Sequence, residues 1–183
     1  MLSSKALFVT RATTSAAARL CATVQPFSSV TPFSGHSLNC EHALKKANAG
    51  ESFAELSEGS VQIFQGIGPK HTEAFDQLGI RSIHDLANYK FYHMAKAITV
   101  LKESESESRP EESKMNISKA VDKAYETKSL KEISEAPVAA LMGLSDEKGA
   151  LFRTFGVTTV ADLAGLKYCK WAESIVALSK YEE

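Results

Sequence analysis

The sequence predicts an all-α protein made of two tandem repeats of short helices, and three observations carry that expectation. The chain matches itself without a gap at a constant offset of 77 residues, as from Gly66 to Gly143. Apolar residues recur at helical spacing between Ser, Thr, Pro and Gly punctuation. No segment alternates apolar and polar residues over a useful strand length. The self-match pairs Phe75 with Phe152, Gly79 with Gly156, and Asp85-Leu86-Ala87 with Asp162-Leu163-Ala164. It also pairs Lys90 with Lys167, Ala95 with Ala172, Ile98 with Ile175 and Leu101 with Leu178. Roughly 30% identity over about 60 ungapped positions makes duplication the organising feature of the chain.

In the first copy, Ala43, Leu44 and Ala47 form an apolar stripe that predicts a helix over His42–Ala49, stopped by Gly50. A second short segment, Ser52–Ser57, offers Phe53 and Leu56. Gly66 and Gly68 predict a tight turn, and Pro69 suits the first helical position, so a helix is expected from Pro69 to Leu78. Ala74, Phe75 and Leu78 should face inward, and Gly79 marks the stop. Ser82-Ile83-His84-Asp85 reads as a variant capping box opening the next helix. A longer helix over Phe91–Leu101 should place Phe91, Met94, Ala95, Ile98 and Leu101 on one face. The second copy repeats these signals with other residues. Ser145 caps a helix over Asp146–Phe155, Gly156 ends it, and Thr159 to Asp162 supplies the capping box. Trp171 stands where Met94 stood, on a face with Tyr168, Ala172, Ile175 and Leu178.

The domain plan follows: a leader over 1–40, a first repeat over 41–101, an acidic Ser/Glu linker over 102–117, a second repeat over 118–178 and a tail over 179–183. The leader holds Lys5, Arg11 and Arg19 but no Asp or Glu, and it is rich in Ser, Thr and Ala. That is the composition of a disordered organelle transit peptide, with the mitochondrion as first destination and the plastid as the alternative. The other interpretation is a disordered tail that stays attached. No apolar run approaches the ~20 residues of a membrane span. The linker, with Glu103 to Ser108 alternating acid and hydroxyl, is expected to be solvated.

Of 21 basic and 22 acidic side chains, the three leader basics leave with the leader, so 18 face 22 and the net charge is −4. A protein whose main task is gripping nucleic acid carries a clustered basic excess instead. The cysteines are Cys21, Cys40 and Cys169, and no pair has metal-ligand spacing. Cys169 aligns with Tyr92 and is expected to pack.

Gly66-Ile67-Gly68-Pro69-Lys70, followed by a helix ending at Leu78-Gly79-Ile80 and then Ile83 to Ala87, resembles the helix-hairpin-helix family. Met142-Gly143-Leu144 through Val160 to Ala164 looks like a degenerate copy. Tandem hairpin domains, the C-terminal domain of bacterial RNA polymerase alpha and the small N-terminal domain of recombinases are the similar modules. The resemblance covers most of residues 60–101 and 137–178. It implies an all-helical fold, and hairpin glycines whose backbone N–H groups contact a nucleic-acid phosphate in many members, while other members bind only proteins.

The residues favour phosphate contact in one copy only. Before Pro69, glycines leave donors free at the positive end of a helix, and Lys70 adds charge, with His71 adding more when protonated. The expected phosphate-binding set is therefore Gly66, Ile67, Gly68, Lys70 and His71. In the second copy Ser145 satisfies the donors itself, and Asp146 and Glu147 would repel a phosphate. One such site supplies one or two phosphate contacts, against roughly six to ten in strong binders. A hairpin that merely turns the chain outweighs that use.

Asp85 and Asp162 each sit three residues after a Ser or Thr cap, which favours helix-start duty over paired catalytic carboxylates. His71, His84 and His93 lack ligand spacing, and the second copy has none of them. Lys90 and Lys167, each followed by an aromatic residue, suit a contact point shared by the copies or, more simply, a stem lying over a ring. No nucleophile elbow, phosphate loop or dinucleotide fingerprint occurs. The expectation is a non-catalytic organellar interaction or assembly protein, without cofactor, metal or small-molecule substrate. It would bind a protein partner or larger organellar complex. The alternative is DNA or RNA contact through the hairpin of the first copy.

Overall fold

A computed structural model describes residues 37–183, so the expected leader lies outside the described residues apart from 37–40. The first copy carries α1 (Phe53–Glu58), α2 (Pro69–Gln77), α3 (Ile83–Ala87) and α4 (Lys90–Leu101). The second carries α5 (Leu130–Glu135), α6 (Asp146–Phe152), α7 (Val160–Gly165) and α8 (Lys167–Leu178). Short 3₁₀ turns join them, and no β-strand occurs among the described residues. The fold is all-α. None of these helices is long and apolar enough to cross a membrane.

Local chemistry sets most helix starts. Ser52, Ser82, Ser129 and Thr159 each accept a hydrogen bond from the backbone N–H three residues on, whose own side chain reaches back to the cap. Gly66 and Gly143 both sit at φ +91°, and Gly79 and Gly156 at +78° and +75°, the left-handed region that side chains resist. These positions correspond under the 77-residue offset, as do the first residues of all four helix pairs.

The helix expected over His42–Ala49 does not form. Gln65 donates to the Ala43 carbonyl at 2.8 Å and the Ile63 carbonyl accepts from Lys45 at 2.7 Å. Those backbone groups are thereby lost to an i→i−4 ladder, and only a 3₁₀ turn, Lys46–Asn48, remains. The exchange brings Leu44 beside Phe64 as an isolated antiparallel bridge and buries both. Val121 and Leu141 repeat the arrangement.

One hydrophobic cluster takes residues from both copies. Long helix α8 packs on α1 and α3 of the first copy, and α4 packs on α5 and α7 of the second. Packing against two neighbours at once widens the buried face of α4 to Phe91, Tyr92, Ala95 and Ile98. Tyr92, outside the expected stripe, is wholly buried, whereas Leu101 and Leu178 project at the helix ends with 55% and 46% exposure. Side chains of α4 and α8 also meet at equivalent positions. Lys96 pairs with Glu173 at 2.6 Å, and the Tyr92 hydroxyl donates to Glu173 at 2.9 Å. Burial works against ionising Glu173, but the bonds from Lys96 and Tyr92 outweigh it and hold its carboxyl below the usual range.

The linker is not wholly idle. Glu105 accepts from the N–H groups of Leu130 and Lys131 at the start of α5, at 2.9 and 3.2 Å. Its counterpart Glu182 accepts from Phe53 and Ala54 at the start of α1, at 2.9 and 2.8 Å. A carboxylate just past each copy thus caps the other, where the helix dipole favours negative charge. Glu105→Ala and Glu182→Ala should each lower the urea midpoint, by on the order of 0.5–1 kcal/mol in unfolding free energy, as lost helix caps do. The two losses should be alike.

Candidate functional site

The five residues singled out for phosphate contact span the turn before α2 and its first helical turn, and they do not share one exposed face. Ile67 is 3% exposed and belongs to the core. Gly66 and Lys70 are exposed, while Gly68 and His71 are half-buried. Gly68 donates its N–H to His71 Nδ1 at 3.4 Å, and His71 Nε2 lies 3.1 Å from the Thr154 carbonyl. Those partners place the ring proton on Nε2, an assignment made from the network. The ring also stacks on Phe155, 5.0 Å between centroids. His71 therefore ties its own helix start to the second copy instead of presenting a charge outward.

Gly66, though exposed, has the second copy beside it. A Cβ on Gly66 would stand 2.8 Å from the Tyr168 hydroxyl and 4.0 Å from Lys167 Nζ. At Gly143 the equivalent neighbours are Phe91 and Lys90, at 3.8 and 3.9 Å. Each turn is thus closed by the first residues of the other copy's long helix. The Lys90 and Lys167 ammonium groups lie over ring faces, 4.6 Å from the Phe91 centroid and 5.0 Å from that of Tyr168.

The electrostatic surroundings of α2 are mixed. A depression of about 470 Å³ beside Gly68 and Pro69 is bordered by Lys45 but also by Glu73 and Asp76. An anion approaching the helix start from that side meets two carboxylates. At α6, Ser145 accepts from the Lys148 N–H at 3.4 Å, with Asp146 and Glu147 in the first turn.

No family model, curated protein or solved structure matches the chain.

Asp85 and Asp162 are engaged as caps. Asp85 accepts from the N–H groups of Arg81 and Ser82 at 3.1 and 3.0 Å. Asp162 accepts from the N–H groups of Thr158 and Thr159 at 3.0 and 2.9 Å and from the Thr158 hydroxyl at 2.9 Å. These bonds, with Thr159 first, hold the Asp162 carboxyl at about 2, below its ordinary 3.8. A depressed folded-state value gives stability that is present above the unfolded value and is lost as pH falls through the folded one. Stability from this group should thus fade between about pH 4 and pH 2, by about 1 kcal/mol once exposure is discounted. In Asp162→Asn, thermal melts across that range should show a shallower acid dependence.

Cys169 is 1% exposed and burial pushes its thiol well above the usual range, so it packs as a small apolar group. Among the described residues no three His, Cys, Asp or Glu side chains gather where a metal ion would sit. Sequence reasoning missed Thr154 and Phe155 as partners of His71, and Tyr168 as the neighbour of Gly66. Each lies more than 80 positions from the residue it touches.

Proposed function

We propose that this chain is a non-catalytic organellar interaction protein that docks a protein partner or a larger complex through its paired hairpin copies. The observation that carries the proposal is the inward commitment of the first hairpin. The Tyr168 hydroxyl stands beside Gly66, and His71 takes the Gly68 N–H, so one donor that a phosphate would use is already engaged within the fold. The net charge of −4 after the leader supports the same conclusion. Support for docking comes from large apolar side chains that the core leaves uncovered, Val100 and Leu101 in the last turn of α4, Leu178 at the end of α8 and Tyr181 just past it. The leader composition supports the organellar assignment. An affinity-tagged full chain recovered gently from organelles should bring a stoichiometric partner. Recovery of the chain alone would count heavily against docking.

A second proposal, DNA or RNA contact, is favoured by one observation: Lys167 of the second copy converges on the Gly66 turn near exposed Lys70. It predicts salt-sensitive oligonucleotide binding that Lys70→Glu weakens. No binding at about 50 mM salt would dispose of it.

A further inference from the structure

The copies meet in a two-fold arrangement. Helix α8 lies on α1 and α3, and α4 lies on the corresponding α5 and α7. Glu182 and Glu105 stand 77 positions apart and cap α1 and α5 in the same reciprocal way. Tyr168 stands beside Gly66 as Phe91 stands beside Gly143. A contact built from such exchanged pairs is isologous, and near its axis a residue faces its own counterpart.

Two places in the chain fit that description. Lys96 and Glu173 are counterparts under the 77-residue offset, and Lys96 Nζ lies 2.7 and 2.6 Å from the Glu173 carboxylate oxygens. Helix α2 likewise touches α6, its own counterpart. There His71 and Phe75 of the first copy pack on Phe155, at 5.0 and 4.4 Å between ring centroids. The counterpart of Phe155 is Leu78, and that of His71 is Lys148. Part of the buried face is common to both copies, for Leu86, Ala95 and Ile98 recur as Leu163, Ala172 and Ile175. At the axis the copies are opposites.

Two first copies set face to face would bring two Lys96 ammonium groups together and put Leu78 where Phe155 belongs. Two second copies would bring two Glu173 carboxylates together. Like charges at that range repel, and neither arrangement forms the ion pair. We infer that Lys96 and Glu173 are the specificity pair of this interface: they admit a first copy with a second and refuse two of one kind. The rule applies equally to a copy on another chain, because the joining segment contributes no residue to the axis and is exposed throughout 103–112. Two chains that exchange copies thus close into a dimer with both ion pairs kept.

Charge reversal in the full chain tests the inference. Both side chains stay partly open to water, at 45% and 33%, so no core is emptied. Lys96→Glu leaves two carboxylates at the axis of its own chain, and Glu173→Lys leaves two ammonium groups. The two variants are unfolded together and refolded at about 0.5 mM, near the effective concentration that a short linker imposes. Exchange between them restores both ion pairs. Light scattering should find at least ten times more dimer in the mixture than in either variant alone. That excess should shrink at about 1 M salt. The K96E/E173K chain, its pair restored within one molecule, should stay monomeric. Should either variant fail to refold alone, folded dimer recovered only from the mixture gives the same result. A pair that only stabilises the fold would leave the mixture no more dimeric than its components, and the inference would be overturned. Equal dimer in K96E/E173K would mean exchange without charge selection and would overturn it as well.

Discussion

Gly66→Ala should destabilise the protein by about 2–4 kcal/mol, while Gly143→Ala at the equivalent turn costs about 1–2 kcal/mol. Both glycines sit at φ +91°, so both variants carry the same backbone strain. The difference lies in the space. A Cβ at Gly143 would rest 3.8 Å from Phe91, an ordinary contact, whereas at Gly66 it would stand 2.8 Å from the Tyr168 hydroxyl. Tyr168 is 6% exposed and its ring is hemmed by Phe64, Phe155 and Trp171, so it cannot swing aside freely. The excess measured by urea unfolding reports contact between the copies. Equal losses in the two variants would mean that Tyr168 does not cover the first turn.

Leu86→Ala should cost about 3–5 kcal/mol, the range for emptying a well-packed leucine site. Leu86 has 0% exposure in α3, which packs on α8. Because one cluster spans both copies, the loss should appear as a single transition. Fluorescence of Trp171, the lone tryptophan and a member of the second copy, should report the same midpoint as far-UV circular dichroism. Two separated transitions would argue for copies that fold independently.

These two variants also mark how far the chain could be read before its structure. Pro69 at the first helical position of α2, the Ser82–Asp85 and Thr159–Asp162 boxes, and Gly79 and Gly156 after their helices all follow from neighbours three or four residues apart. The capping boxes at Ser52 and Ser129 carry the same Ser-x-x-Glu spacing, a signal present but passed over. The candidate hairpin was legible as a turn, and its use was not. That His71 faces inward depends on Thr154 and Phe155, which no local pattern brings to it.

The exposed ends at Leu101 and Leu178 show where a local pattern stops being enough. Helical periodicity put them on the buried stripe, yet a stripe is buried only as far as its neighbours extend.

Helix type, helix starts and the points where the backbone turns left-handed were thus written in the chain order, because bonds between residues three or four apart fix them. The failed helix over His42–Ala49, the crossed capping by Glu105 and Glu182, and the Lys96–Glu173 pair arose only on folding. Their partners stand from about twenty to more than a hundred positions away, and only burying one common apolar core brings such distant groups within a hydrogen bond's reach.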